Sequence, residues 1–177
     1  RTKDGWSGGA DPRRDQPPPE EMRKLRLVLA ELTEQKLLRA IYSERQLEEV
    51  LVDFWFNHFN VFVNDGFDRY SISSYERDAI RPNVLGRFRD LLQAASLHPA
   101  MLFYLDNYLN TVPRRVGNRV TGGINENQGR ELLELHTVGV DAGYSQADVY
   151  EASRCLTGHG IDNLNTSGAY VFRATNH

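Results

Sequence analysis

Glu44-Arg45-Gln46-Leu47-Glu48-Glu49-Val50-Leu51-Val52-Asp53-Phe54-Trp55-Phe56-Asn57-His58-Phe59-Asn60-Val61-Phe62-Val63 is the run on which the fold turns. Its second half is apolar on nearly every side, through Val50, Leu51, Val52, Phe54, Trp55, Phe56, Phe59, Val61 and Phe62. A helix of that composition is expected to lie inside a protein. Its start is marked too: Ser43 with Gln46 has the spacing of a capping box, and Tyr42 with Leu47 that of a hydrophobic staple. Gly66 closes it.

On the N-terminal side, Met22, Leu25, Val28, Leu29 and Leu32 recur at three- and four-residue steps, and Leu38 and Ile41 prolong the pattern. This predicts an amphipathic helix from Glu20 to Tyr42. Residues 1–19, with three glycines, Pro17-Pro18-Pro19 and Trp6 as the one large apolar side chain, read as an extended arm with Trp6 its anchor. On the C-terminal side a short helix at Ser74–Ile80 is stopped by Pro82, and a further one carries Leu85, Phe88, Leu91, Leu92 and Ala95. Pro99 then opens a helix with Met101, Leu102, Phe103, Tyr104 and Leu105, apolar all round and so central. Asn110 to Gly123 reads as a mobile basic loop, followed by a helix from Asn125 to Val138 ended by Gly139. Ser145 with Asp148 is a second capping box, opening a last helix that Gly158 ends. The expected fold is all-α: an irregular bundle of about seven helices over residues 20–160. An irregular tail follows over 161–177, with Tyr170-Val171-Phe172 as a candidate short strand.

The 177 residues are 40% hydrophobic and 25% charged with a formal net charge of −3, which suits one compact domain. No apolar run approaches the roughly 18 residues of a membrane-spanning helix. Acids outnumber bases, so the excess of arginine over lysine does not describe a nucleic-acid surface. The single cysteine, Cys155, excludes an internal disulfide. The start at Arg1 reads as a processed or trimmed piece, with any targeting signal outside it.

Chemistry is sought where polar residues interrupt apolar faces. Asp53, Asn57, Asn60 and Asn64 form a polar stripe on the helix quoted above, and His58 lies among its apolar residues. Either these side chains serve a site, or Asp53 and Asn57 satisfy backbone groups and His58 is a hydrogen-bonded core histidine. The helix from Asn125 places Asn127, Glu131 and Glu134 on one face and His136 on the neighbouring one, with Glu126 able to pair with Arg130. A divalent metal could take His58, Glu131, His136 and His177, although neither Glu-x-x-His nor His-Glu-x-x-His occurs. Arg114, Arg115 and Arg119, just before that helix, form a candidate anion site for phosphate, sulfate or an acidic sugar. No nucleotide-binding glycine pattern and no serine-hydrolase elbow is present.

Four strings carry a resemblance: Phe54-Trp55-Phe56-Asn57-His58-Phe59; Tyr75-Glu76-Arg77-Asp78-Ala79-Ile80-Arg81-Pro82; His98-Pro99-Ala100-Met101-Leu102-Phe103-Tyr104-Leu105-Asp106-Asn107; and Asn125-Glu126-Asn127-Gln128-Gly129-Arg130-Glu131-Leu132-Leu133-Glu134-Leu135-His136. In sequence and order they resemble the bacterial domain-of-unknown-function 1800 family. The resemblance implies a larger exported protein, periplasmic or extracellular, often encoded beside a second exported family, with no established reaction. It also implies that Tyr170 to His177 begins a further motif, whereas His159 stands where the family pattern has a tryptophan and is left out of the site. Two expectations follow. One is a polar site built from Asn57, His58, Asp106, Asn107, Glu126, Asn127, Arg130, Glu131 and Glu134 that binds a metal or small polar ligand. The other is a non-catalytic scaffold that docks a second exported protein, with those residues serving as buried structural networks.

Overall fold

The computed structural model describes residues 19–63 and 66–177; the expected arm with its Trp6 anchor, and Asn64, lie outside them. Seven α-helices are described: α1 Pro19–Tyr42, α2 Gln46–His58, α3 Asp68–Ser74, α4 Phe88–Leu97, α5 Pro99–Tyr104, α6 Asn127–Glu131 and α7 Gln146–Cys155. Wider π-helical turns extend α3 through Tyr75–Ile80 and α6 through Leu132–Thr137.

The all-α expectation is corrected to a mostly helical fold with two small antiparallel sheets. Strands β1 Arg114–Val116 and β2 Arg119–Thr121 form a hairpin where a mobile loop was expected. Its two-residue turn has Gly117 first, at φ 61°, as a type II′ turn requires. That Gly-Asn pair between two short β-branched runs was the legible signal. Strands β3 His159–Ile161 and β4 Tyr170–Phe172 pair in the register His159↔Phe172 and Ile161↔Tyr170, which ties the tail back to the end of α7.

The core sits where α2, the Tyr75–Ile80 turn, α4 and α5 meet, and includes Val52, Phe59, Tyr75, Ile80, Leu91 and Met101. The Tyr75 hydroxyl donates to the Phe59 carbonyl at 2.8 Å, which fixes the end of α2 against α3. Helix α5 is central, as its composition predicts: Ala100, Met101, Leu102 and Phe103 are buried. Pro99 occupies its first turn, and His98 Nδ1 accepts from the Ala100 N–H at 3.2 Å.

Helix α2 departs from expectation. Only Val52 is buried along it, while Leu47, Val50 and Phe54 are 57–66% exposed. The helix is an edge element whose inner face alone meets the core, so its outer apolar residues face outward. The first capping box is absent as well: the Ser43 hydroxyl accepts from the Arg45 N–H, and Gln46 Nε2 donates to the Ser43 and Ala40 carbonyls. The second is present, with Asp148 N–H on Ser145 Oγ and Ser145 N–H on Asp148 Oδ2.

Helices α6 and α7 touch at Gly129. A Cβ there would stand 2.0 Å from Ser153 Oγ and 2.8 Å from the Ser153 backbone nitrogen. Gly129→Ala is therefore expected to cost at least about 2 kcal/mol in urea denaturation. Ser153→Gly in the same chain should restore little of it, because the backbone clash remains.

Candidate functional site

The polar residues singled out from sequence fall into separate groups. Asn107 and Asn110 form the most buried one, in the turn after α5. Asn107 Nδ2 donates to the carbonyls of Leu156 and His159, each at 3.0 Å, and Asn107 Oδ1 accepts from Asn110 Nδ2 at 3.0 Å. Asn110 Nδ2 also donates to the Ser153 carbonyl at 2.8 Å, and its Oδ1 accepts from the Asn125 N–H at 2.9 Å. Asn107 thus satisfies the Leu156 carbonyl just past α7 and the His159 carbonyl of β3, and Asn110 gives the Ser153 carbonyl a second donor beside the Leu156 N–H. Asp106 precedes them at φ 60°, a left-handed conformation that reverses the chain out of α5.

His58 and His136 form a second group. Helix α2 ends at His58, whose Nε2 lies 3.1 Å from the His136 carbonyl. A carbonyl only accepts, so that nitrogen carries a proton and donates. The two rings are 6.1 Å apart, and His136 also packs on Phe59 at 5.2 Å. Burial, with His58 adding to it, pushes the His136 pKa down to about 4, so the ring is neutral.

The π-helical turn explains why His136 is inside and Leu135 is 62% exposed. An α-helix advances about 100° per residue. The wider turn advances less, and by residue 136 the accumulated difference brings the imidazole, not Leu135, into line with buried Gln128.

Glu126 accepts from Arg130 Nη2 at 3.2 Å and from Gln146 Nε2 at 2.5 Å, while Arg130 also donates to Gln146 Oε1 at 2.8 Å. This triangle clamps the start of α6 to that of α7. Asn127 is exposed, and its backbone N–H donates to Asn125 Oδ1. Glu131, half-buried, has its carboxyl held above the usual range by burial and by the neighbouring Glu134. Asn57 is exposed and donates to the Asp53 carbonyl of its own helix; Asp53 pairs with Lys36 at 2.7 Å.

His177 sits elsewhere. Thr157 Oγ1 donates to the Arg154 carbonyl, so it accepts from His177 Nδ1, which lies 2.9 Å away. His159 and His177 flank Phe172, at 4.9 and 5.7 Å between ring centroids, and His159 Nδ1 lies 2.8 Å from the Tyr170 hydroxyl.

Among the described residues no three His, Cys, Asp or Glu side chains are grouped to hold a metal ion. His58, Glu131, His136 and His177 thus do not assemble into the single donor set expected, because the imidazoles are oriented by separate contacts: His58 on the His136 carbonyl, His136 on Phe59 and His177 on Thr157. Arg114, Arg115 and Arg119 are brought together, on the exposed hairpin and not at a helix start. Asn110, Ser153, Gln128 and Thr157 were missed by sequence reasoning. Each is a small or amide-bearing residue at a helix contact, and only the Asn107-x-x-Asn110 spacing hinted at a pair.

The class so defined is a mostly helical domain knit together by buried amide and hydroxyl contacts to its own backbone. The chain belongs to the family described as Protein of unknown function (DUF1800), whose match covers residues 10–177. No curated protein and no solved structure matches the chain.

Two measurements check this geometry. Asn110→Ala strands Asn107 Oδ1 and the Asn125 N–H and removes one of two donors to the Ser153 carbonyl, so urea denaturation should show a loss of about 2 kcal/mol or more. The second concerns pH. Burial lowers His98, like His136, from 6.5 to about 4. Between those values the unfolded chain takes up protons that the folded one refuses, so stability falls as pH is lowered from 6.5 towards 4 and is unaffected by these groups above 6.5. His98→Asn keeps an acceptor for the Ala100 N–H without titrating, and its melting temperature should fall less steeply through that window.

Proposed function

We propose that this domain is a non-catalytic helical scaffold that docks a second protein through the outer face of α1 and α2. The observation that carries the reading is where the apolar side chains go. Leu27, Leu37 and Ile41 of α1 and Leu47, Val50 and Phe54 of α2 are 57–66% exposed, and Leu38 and Tyr42 are exposed as well. Exposed apolar surface on this scale marks an interaction face more often than a solvent face. The polar residues support the same reading, since Asn107, Asn110, Gln128 and His58 direct their donors at backbone carbonyls. No described helix is long and apolar enough to cross a membrane, so a membrane span does not account for the exposed patch.

The partner proposed is the second exported protein encoded beside family members, and the encounter is taken to be periplasmic or extracellular; both rest on the family resemblance alone. Isothermal titration of that protein into this domain should show binding that Leu47→Asp and Phe54→Asp each weaken by at least about tenfold, with unchanged circular dichroism. No binding by the unaltered domain, or equal binding by both variants, would refute the scaffold. Stoichiometric metal that survives dialysis and is lost in His136→Ala would instead favour the metal-site reading.

A further inference from the structure

The β1–β2 hairpin carries charge of one sign only. From Asn107 to Asn125 the chain has no acidic residue and no lysine, and its three charges are Arg114, Arg115 and Arg119. Every strand residue is exposed, Val116 and Val120 by 65% and 70%. None of the three guanidinium groups has a carboxylate partner among the described residues, whereas Arg77, Arg81, Arg130 and Arg154 all do.

The register Arg114↔Thr121 and Val116↔Arg119 puts Arg114, Val116, Arg119 and Thr121 on one face and Arg115 with Val120 on the other. Arg114 and Arg119 are then diagonal neighbours, roughly 7–8 Å apart at the backbone, and their like charges repel. Two carboxylates at alternate positions of an extended chain are separated by about 7 Å, which matches that spacing. A two-stranded ribbon alone is marginally stable in water and leaves its outer edges unpaired. The approach to β1 is occupied, because Val112 N–H donates to the Asn176 carbonyl at 3.0 Å. The edge of β2 carries no such contact among the described residues.

We infer that the hairpin is a second docking element, independent of the α1–α2 face, whose β2 edge accepts an extended acidic segment of a partner protein as a third strand. Backbone pairing supplies the direction and register, and Arg114 and Arg119 pair with carboxylates on alternate residues of one face, while Arg115 adds positive charge on the other. Both faces of the ribbon mix arginine with valine, which suits a strand with side chains on both sides. A lipid surface would require one uniformly apolar face or tip, and the tip here is Gly117-Asn118.

The test uses a fluorescein-labelled peptide of alternating glutamate and valine, with fluorescence anisotropy as the readout. Three probes accompany it: the same peptide methylated on alternate backbone nitrogens, a duplex oligonucleotide, and vesicles of anionic phospholipid. The inference expects the unmethylated peptide to bind at least about tenfold more tightly than the methylated one, and to weaken with added salt. Arg114→Gln with Arg119→Gln should lose about tenfold, while Phe54→Asp changes nothing. Equal binding of both peptides would overturn strand addition. Tighter binding of the oligonucleotide or the vesicles would overturn the acidic-protein partner, and unaltered peptide binding by the double arginine variant would remove the hairpin from it.

Discussion

The contact between Asn107 and Asn110 is the constraint from which the C-terminal half of the molecule follows. A helix end leaves its last carbonyls without partners, and α7 ends in the interior, where water is scarce. The paired amides supply donors to Leu156 and His159, and a second donor to Ser153 beside the Leu156 N–H. In doing so they bind the turn after α5 to the end of α7, to the start of β3 and, through the Asn125 N–H, to the approach to α6. An amide suits this role because it offers two donors and an acceptor in one plane. A carboxylate would supply no donors, and an apolar side chain would strand every carbonyl it replaced.

Around this junction the polar residues are oriented inward, by contacts to the chain itself. His58 donates to a carbonyl of the π-helical turn, Gln128 donates to the Ser96 carbonyl at 2.7 Å, and Ser153 donates to the Val149 carbonyl at 2.8 Å. The first two of these contacts tie α2 and α4 to α6 and its π-helical turn, while the third stays within α7. These side chains converge on backbone. The apolar and cationic side chains have the opposite disposition: α1 and α2 hold theirs outward, and the hairpin exposes three guanidinium groups.

Much of this architecture was legible in the sequence, because it depends on local rules. Apolar spacing marked α1 and α4, Pro99 opened α5, Ser145 with Asp148 capped α7, and Gly158, at φ 81°, ended the run that follows it. Each of these signals acts within about two helical turns, so no knowledge of distant contacts was needed. The match over residues 10–177 confirms that the ordered strings around Phe54, Tyr75, His98 and Asn125 were read as the right family.

The sequence by itself determined most of the helical segments, although α2 stops at His58 short of Val63 and α3 begins at Asp68 ahead of Ser74; it also determined that α5 is central and that His58 and His136 are out of character with their surroundings. Tertiary structure decided which side of each helix is inside. Composition made α2 look buried all round, yet only the elements that pack on one side of it could fix its exposed face, and those elements are distant in sequence. The turn at Leu132–Thr137 decided in the same way that His136 and not Leu135 would be enclosed. A helix's period follows from its backbone hydrogen bonds, and here its widening goes with the packing of His136 on Phe59, a residue far away in sequence, which no pattern within the helix records.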